Sequence, residues 1–270
     1  MNLCVPDIFT TDHSENYTVS IRLWSDGLSF AAQIPSDKDS FFYTETEIDR
    51  TIPYIRAIKD IFFGHPFFSY AFKHTYVTVA NRHYTLVPET IFLEQQKEQL
   101  MSFVFLTPED KILYEHINEF ESVLLYDIQP KVYDFFSRSL INPVFTHGIT
   151  AQLNQWRIQS LTTYPKQLCV AIYKDTMSAA CFYRETLLFV NSFQVDDTAD
   201  MIYYILYIWK QIGMDQQKDR LMLFSNDKTY QTLKEQLKTY LLQFEHVPTW
   251  QSDTGLEVPP DITALMQCES

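Results

Sequence analysis

Residues Gln167–Val195 read QLCVAIYKDTMSAACFYRETLLFVNSFQV, and this stretch decides the fold. Its short apolar runs, separated by polar turns, predict three strands in a meander. A similar stretch near the N-terminus reads YTVSIRLWSDGLSFAAQIP over Tyr17–Pro35, followed by FFYTETEI at residues 41–48. The two stretches therefore predict one supersecondary unit that occurs twice.

A shift of 149 positions, from Leu23 to Ile172, aligns the two stretches. The aligned pairs, identical or chemically similar, are Leu23 with Ile172, Trp24 with Tyr173, Asp26 with Asp175, Leu28 with Met177, Ser29 with Ser178 and Ala31 with Ala180. An Asp stands at the first turn of each copy. Each meander is followed by an acidic helix start and an apolar helix, which predicts an internal duplication.

The composition indicates a globular protein. Of the 270 residues, 46% are apolar and 16% aromatic, so a sizeable core can form. The formal net charge is -13 and basic residues do not cluster. Nucleic-acid binding needs a basic stripe, and an anionic membrane surface would repel this chain. We expect no nucleic-acid partner.

The cysteines and the apolar runs favour a cytoplasmic protein that does not insert into a membrane. Cys4, Cys169, Cys181 and Cys268 form no C-x-x-C pair, which favours reduced thiols without disulfides in a cytoplasmic protein. The N-terminal residues have no basic and apolar regions of a signal peptide. No apolar run is long enough to span a bilayer, so we expect no membrane insertion.

In the first half, alternation from Tyr17 predicts a strand with one buried and one polar face. Gly27 is predicted to supply the positive φ of the hairpin turn. A third strand is expected over Phe41–Ile48, and Asp49 is expected to cap the next helix. Further predicted elements are strands at His74–Ala80 and His83–Val87, a helix at Glu89–Met101 with Leu93 inward, two strands in Ile112–Asp127, and helices at Pro130–Leu140 and Ile149–Leu161.

Tyr164-Pro165 is the predicted boundary, giving domains at residues 1–164 and 165–270. In the second domain, an acidic cap at residues 196–198 should open a helix over Met201–Ile212 that is apolar on nearly every side and deeply buried. The predicted elements that follow are a strand at Arg220–Phe224, a helix after the Ser225-Asn226-Asp227 cap that extends through Tyr240 to Phe244, and a strand at His246–Trp250. The tail from Gln251 is expected to be partly ordered at most, with a turn of helix possible at Ile262–Met266.

A β-β-β-α-β-α unit that occurs twice, with an Asp at the first turn, resembles the duplicated actin-like ATPase fold of the ribonuclease-H-like group. More closely, the chain resembles a family of uncharacterised bacterial proteins of about this length with an actin-like fold. The resemblance implies an α/β protein of two similar domains. Each would hold a mixed sheet that begins with the meander and packs against helices, with a cleft between the domains.

The resemblance also implies where a nucleotide would bind. In active members both first turns are glycine-rich loops that cradle phosphates, and each carries an Asp that positions a hydrated Mg²⁺. The matching residues are Asp26, Gly27 and Ser29 in the first turn, and Asp175 and Ser178 in the second, which has no Gly. A Gly-Gly pair near the adenosine is matched by LMLFSND at residues 221–227, again without Gly.

Each candidate has a structural alternative. Asp26 and Asp175 are also ordinary turn residues. Asp37 and Asp39 lack the pattern of a calcium loop, and a nuclease site built from Asp26, Glu45 and Glu47 conflicts with the acidic charge. The aromatic residues around Gly64-His65-Pro66 form either an exposed docking patch or, as we expect, core packing. They are Phe62, Phe63, Phe67, Phe68 and Tyr70.

Two functions stay open on the sequence. The first is a non-catalytic scaffold that binds a protein partner or self-associates on a degenerate actin-like fold, with no cofactor. The second is an ATP-binding protein with weak or absent hydrolysis and a divergent Mg-nucleotide site in the interdomain cleft. The missing glycines favour the first and make enzymatic activity the less favoured expectation.

Overall fold

The computed structural model describes residues 3–6, 9–109, 111–161 and 164–268. The chain forms two compact units. Unit 1 comprises Met1–Thr150, Ser252–Leu256 and Met266–Ser270, and unit 2 comprises Ala151–Gln251 and Glu257–Leu265. The domain boundary at Tyr164-Pro165 stays a sequence-based prediction.

The first part of the chain contains eight strands and four α-helices within the described residues. They are β1 (Thr18–Trp24), β2 (Gly27–Ile34), β3 (Asp37–Glu47), α1 (Tyr54–Gly64), β4 (His74–Val79), β5 (Tyr84–Pro88), α2 (Lys97–Val104), β6 (Lys111–Ile117), β7 (Ser122–Ile128), α3 (Pro130–Ser139), β8 (Val144–His147) and α4 (Gly148–Ser160). The main sheet of unit 1 has the order β3-β2-β1-β4-β8. Its strands β1, β4 and β8 are parallel, whereas β2 pairs antiparallel with β1, and β3 pairs antiparallel with β2.

The rest of the chain repeats this arrangement. Its elements are β9 (Lys166–Tyr173), β10 (Thr176–Tyr183), β11 (Thr186–Gln194), α5 (Thr198–Gln211), β12 (Arg220–Ser225), α6 (Asp227–Leu237), β13 (Phe244–Pro248) and α7 (Pro260–Cys268). The sheet of unit 2 has the order β11-β10-β9-β12-β13, with β9, β12 and β13 parallel. This is the strand order of unit 1, so the predicted mixed α/β architecture and its duplication are confirmed.

The hairpin registers match as well. In β1–β2, Trp24 pairs with Gly27 and Leu23 with Leu28. In β9–β10, the aligned pairs are Tyr173 with Thr176 and Ile172 with Met177. Because a register slip by one residue would move every side chain to the other face of the sheet, the shared register places the aligned residues on equivalent faces.

An insertion distinguishes unit 1 from unit 2. Between β4 and α3, the chain forms a second sheet, β5-β7-β6, and the helix α2. Val87, Met101, Ile112, Val123 and Leu125 form its core. The two strands expected in residues 112–127 are confirmed as β6 and β7, but their assembly into a separate sheet with β5 was not predicted.

Aromatic side chains fill the core of unit 1. The Phe30 ring lies 4.8 Å from Phe67 and 5.5 Å from Phe68, measured between centroids. Phe62 stacks on Phe68 at 5.3 Å. Core packing of this cluster is therefore confirmed, except that Phe63 is 73% exposed.

The role predicted for Gly27 is wrong in its cause. Its φ is not positive. A Cβ at Gly27 would instead enter the Trp24 indole ring and lie 2.8 Å from the carbonyl oxygen of Thr46. A glycine is required here because the indole and the neighbouring strand approach the backbone too closely for any side chain.

The polar face predicted for the first strand is not exposed. Thr18 and Ser20 are as buried as the apolar residues of β1. The hydroxyl of Ser20 shares a hydrogen bond of 2.8 Å with that of Thr78 on β4. Both faces of β1 are covered because it is a central strand, which alternation alone does not reveal. The third strand also begins earlier than predicted, at Asp37 rather than Phe41.

Two helix starts behave differently. Asp197 caps α5 as predicted, because its Oδ1 accepts from the backbone N–H of Ala199 and of Asp200. Asp49 does not cap α1, which begins at Tyr54 after Pro53 with no side-chain cap. The Asp49 carboxylate accepts from the N–H of Thr51 instead, so it closes a turn before the helix.

Three predictions about helices, one in the insertion and two in unit 2, are also wrong. The helix expected at residues 89–101 is two short 3-10 helices followed by α2, and Leu93 is exposed. Deep burial of α5 fails because Tyr203 and Tyr207 face solvent. The helix α6 ends at Leu237, which leaves Tyr240 outside it and exposed.

The C-terminal tail is more ordered than expected. It contains α7, of nine residues, in which Ile262 and Ala264 are fully buried. The apolar stretch of α7 is short, so its periodicity was too weak a signal to predict a packed helix.

Candidate functional site

The first candidate turn, Ser25-Asp26, joins β1 to β2 at the C-terminal edge of the parallel strands of unit 1, where open α/β sheets bind ligands. The Asp26 carboxylate is held by Arg50, whose Nε lies 3.1 Å from Asp26 Oδ2 and whose Nη2 makes a second, shorter contact. These residues line a cavity of about 380 Å³ at the start of α1, together with Ser25, Ile48, Thr51, Ile52, Pro53 and Tyr54.

The neighbours of Asp26 do not resemble a phosphate loop. The backbone carbonyl of Asp26 accepts from Ile48 N–H at 2.7 Å, and that of Gly27 accepts from the Tyr54 hydroxyl at 2.9 Å. Burial, together with the charge of Asp26, raises the pKa of Tyr54, so the phenol stays protonated as a donor. Ser29 is buried inside the sheet, and its hydroxyl has no hydrogen-bond partner among the described residues.

The second candidate turn, Lys174-Asp175, joins β9 to β10. Lys174, the first residue of this turn, has a φ of 53°, whereas Ser25, at the equivalent position of the first turn, does not have a positive φ. The Asp175 carboxylate is exposed and accepts from the Thr176 hydroxyl at 3.2 Å. Ser178 is engaged in the sheet, where its hydroxyl shares a hydrogen bond of 2.8 Å with that of Ser192.

The third candidate position, at the end of β12, is contacted by groups from α6, β13 and the segment that follows β13. His246 of β13 stacks on Tyr230 of α6, with centroids 4.0 Å apart and planes 4° apart, and its Nε2 donates to the carbonyl of Ser225 at 2.9 Å. Asn226 caps α6 and donates to Glu257 at 3.0 Å. The predicted cap is therefore confirmed.

The residues at these positions fit a magnesium nucleotide poorly. Asp26 already has a guanidinium partner, so a metal would have to displace Arg50. The hairpin turns hold two residues each, and the carbonyls of Asp26 and Asp175 accept from the backbone N–H groups of Ile48 and Val195. A phosphate cradle is favoured by glycines, and the second turn has none.

A buried polar cluster that sequence reasoning missed lies at the same edge of unit 1. The Asp127 carboxylate accepts from Asn81 Nδ2 at 2.8 Å, from His83 Nδ1 at 3.1 Å and from the N–H of Glu109 at 2.9 Å. Asp127 is 1% exposed. A buried charge with three donors is satisfied, so this carboxylate ties the insertion to the loop after β4.

A second carboxylate completes the cluster. Glu115 Oε2 accepts from the Thr146 hydroxyl at 2.8 Å and Oε1 from His147 N–H at 2.6 Å. Burial raises the pKa of Glu115 to about 7, although these donors oppose the shift. Burial lowers the pKa of His147 to about 3, and its Nε2 donates to the carbonyl of Asn81 at 3.1 Å. The only sequence signal was charged residues inside the apolar strands β6 and β7.

Comparison with known proteins identifies the fold and the family of the chain. A protein from Bacteroides thetaiotaomicron with an actin-like ATPase fold and unknown function is 28% identical and superposes with a TM-score of 0.81. The match covers 98% of this chain and 100% of that one. The chain therefore has an actin-like ATPase fold. The family described as "Protein of unknown function (DUF3822)" matches residues 6–244, and the chain belongs to it.

Other solved structures are less similar. The PilM-PilN type IV pilus biogenesis complex matches at 11% identity and a TM-score of 0.48, covering 93% of both chains. The ethanolamine utilization protein EutJ from Carboxydothermus hydrogenoformans matches at 8% identity and a TM-score of 0.46, covering 94% of this chain and 89% of that one. No curated protein sequence matches the chain. Among the described residues, no helix is long and apolar enough to cross a membrane.

Proposed function

We propose that this protein is a non-catalytic scaffold that binds a protein partner, or a second copy of itself, on a degenerate actin-like fold. One observation carries the proposal: at the first turn, where active relatives of this fold would place a magnesium nucleotide, Asp26 is paired with Arg50. Two guanidinium nitrogens of Arg50 contact the same oxygen of Asp26, Oδ2, so a hydrated cation would have to displace this partner.

Two further features support the same conclusion. The second turn has no glycine, and its Asp175 bonds to the adjacent Thr176. The third position has no glycine, and its Ser225 carbonyl accepts from His246, which stacks on Tyr230. Each of the three elements that the resemblance requires is thus altered in its own way, so we propose that the protein works without a cofactor.

We also propose that it works in the cytoplasm. Cys169 and Cys181 lie as thiols inside unit 2, and burial raises the pKa of each to about 12. Such thiols do not react as thiolates at neutral pH. Thiol counting on protein purified from its native cell should find all four cysteines reduced. A mixed or intermolecular disulfide would contradict this assignment.

The second candidate function is weak ATP binding, and the cavity beside Asp26 favours it. Its volume of about 380 Å³ lies within the range of small-molecule sites, and Arg50 could face a phosphate there. The two candidates differ in one measurable respect: only the second requires nucleotide affinity that depends on Asp26.

Calorimetric titration with Mg-ATP distinguishes them. We expect no binding heat and no thermal shift at millimolar ATP for the wild type. Binding tighter than about 100 μM that Asp26→Ala abolishes, and that the control Asp60→Ala on the exposed side of α1 preserves, would overturn the cofactor-free proposal.

A further inference from the structure

The insertion carries an exposed apolar surface on the side away from its own core. The outer patch consists of Ile91, Leu93, Phe103, Val104 and Leu106, all exposed. Phe103 is 76% exposed, and Leu106 is fully exposed. Monomeric proteins seldom present several large apolar side chains in one short segment unless the surface binds something.

Packing within the insertion explains why these residues face outward. Phe92, Leu100, Met101 and Phe105 of the same segment pack onto the core of the small sheet. The outer patch alternates with them along the chain, so Leu93 follows an inward Phe92 and Leu106 an inward Phe105. The segment is thus apolar on both sides, whereas only one side is needed to cover the sheet.

The surroundings of the outer patch are acidic. Between residues 89 and 109 the sequence has four glutamates, Glu89, Glu94, Glu98 and Glu109, and one basic residue, Lys97. Lys97 lies 3.9 Å from Glu94, and Glu89 accepts from His116 Nδ1 at 3.0 Å. Four glutamates and one lysine give this segment a formal charge of -3 with His neutral. An apolar surface with an acidic rim complements a segment that has apolar and basic residues on adjoining faces.

We propose that the outer patch docks a basic amphipathic segment of a protein partner. The inference rests on the proposed scaffold function and names the surface and the chemistry of the partner. A second copy is disfavoured as the occupant because it has the same acidic rim and a net charge of -13. An anionic bilayer is disfavoured for the same electrostatic reason. The insertion has no counterpart between β12 and α6, so the surface belongs to unit 1 alone.

The test uses the full chain and a defined probe. The probe is a fluorescent amphipathic peptide of leucine and lysine, and its control is the same peptide with glutamate in place of lysine. We expect anisotropy to detect binding of the basic peptide only. Hydrogen exchange should show protection confined to residues 91–106.

Variants locate the site. Phe103→Ser and Leu106→Ser should each weaken peptide binding about tenfold, as expected for exposed anchors at a docking site. Glu98→Lys should weaken it less, through charge alone. Leu242→Ser, which removes an equally exposed leucine of unit 2 (66% exposed), is the matched control and should leave affinity unchanged. Unaltered melting temperatures would show that all four variants fold.

Three results would overturn the inference. Equal affinity of the Phe103→Ser and Leu242→Ser variants would place binding elsewhere. Sedimentation of a wild-type dimer that Phe103→Ser dissociates would make a second copy the occupant, and would support self-association under the proposed function. Binding to vesicles of anionic lipid that depends on Leu106 would make a membrane the occupant. Failure of the scaffold function itself is measured separately, by the Mg-ATP titration.

Discussion

The turn between β1 and β2 and the turn between β9 and β10 have the same length and register, but different contacts hold their aspartates. Asp26 is bound by Arg50 from the loop before α1, whereas among the described hydrogen bonds the carboxylate of the equivalent Asp175 bonds only to its neighbour Thr176. The backbone is alike in detail: the Asp26 carbonyl accepts from Ile48, and that of Asp175 from Val195.

This difference shows which features of a duplicated unit are constrained. Strand register is held by the buried faces, since slipping one residue would expose the core. A two-residue turn at the surface carries no such constraint, so its side chains can diverge while the hairpin persists. The divergence of the turns therefore says more about function than the shared topology does.

A substitution in the aromatic core of unit 1 gives the largest expected loss of stability. Phe30 of β2 is fully buried among aromatic rings, whereas the aligned position in β10 is Ala179. We expect Phe30→Ala to lower the free energy of unfolding by about 3–5 kcal/mol because it leaves a cavity. Urea unfolding checks this, with the exposed Phe63→Ala as control at within about 0.5 kcal/mol. A loss below about 1 kcal/mol for Phe30→Ala would mean that the cluster is not a packed core.

The second-largest expected effect is the pH dependence of stability that Glu115 contributes. This residue lies in the insertion, which only unit 1 has. Its pKa is raised from 4.5 to about 7, so the folded protein holds a proton that the unfolded chain releases. Its contribution to stability is greatest below pH 4.5 and is lost as the pH rises to about 7. We expect acidification across this window to stabilise the wild type relative to Glu115→Gln by on the order of 2 kcal/mol.

Urea unfolding at several pH values measures this difference. Glu235→Gln, on the exposed surface of α6, is the control and should follow the wild type across the window. Parallel stability curves for the wild type and Glu115→Gln would contradict the assigned pKa. Buried neutral His147 acts in the opposite sense, since its lowered pKa removes stability as the pH falls below 6.5.

The turn glycine gives a smaller effect. Gly27→Ala should destabilise the protein by about 2 kcal/mol, because the new methyl group meets Trp24 and the Thr46 carbonyl. The aligned residue of unit 2 is Thr176, which already carries a side chain, and Thr176→Ala should cost below about 1 kcal/mol. Thermal unfolding compares the two. Equal losses would show that the close approach at Gly27 is relieved by movement of the indole.

Helix capping gives the smallest effect. Asp197→Ala should destabilise the protein by about 1 kcal/mol, because two N–H groups of α5 lose their acceptor. Asp49→Ala should destabilise the protein less than Asp197→Ala does, since it removes only a turn before α1. Chemical unfolding of both variants checks the order. A larger loss for Asp49→Ala would reverse the contrast between the two helix starts.

Much of the fold could be predicted because its signals are local. The alternation of β1, β2, β9 and β10 and the repeat at 149 positions, from Leu23 to Ile172, were sufficient to place the strands of both meanders. The cap at Asp197 followed from one residue type before an apolar run. The strands of the insertion were predicted, but their assembly into a sheet was not. Neither β5 nor β7 shows by its own sequence that the two strands pair.

The candidate site was less predictable. Asp26 and Asp175 were found by the repeat alone, and their roles stay open to the titration. Arg50 was not anticipated as a partner of Asp26, because the two are 24 residues apart and meet only through the fold. The same holds for Asp127 with Asn81 and for Glu115 with His147.

The sequence by itself determined the mixed α/β class, the duplicated meander and the absence of glycines from two of the three positions that a nucleotide would need. These depend on residue type and short-range periodicity, which act within a few residues. Only the tertiary structure decided which aspartate has a cationic partner, why Gly27 must be glycine, and that Phe103 and Leu106 face outward. Those outcomes depend on what packs against each residue from distant parts of the chain.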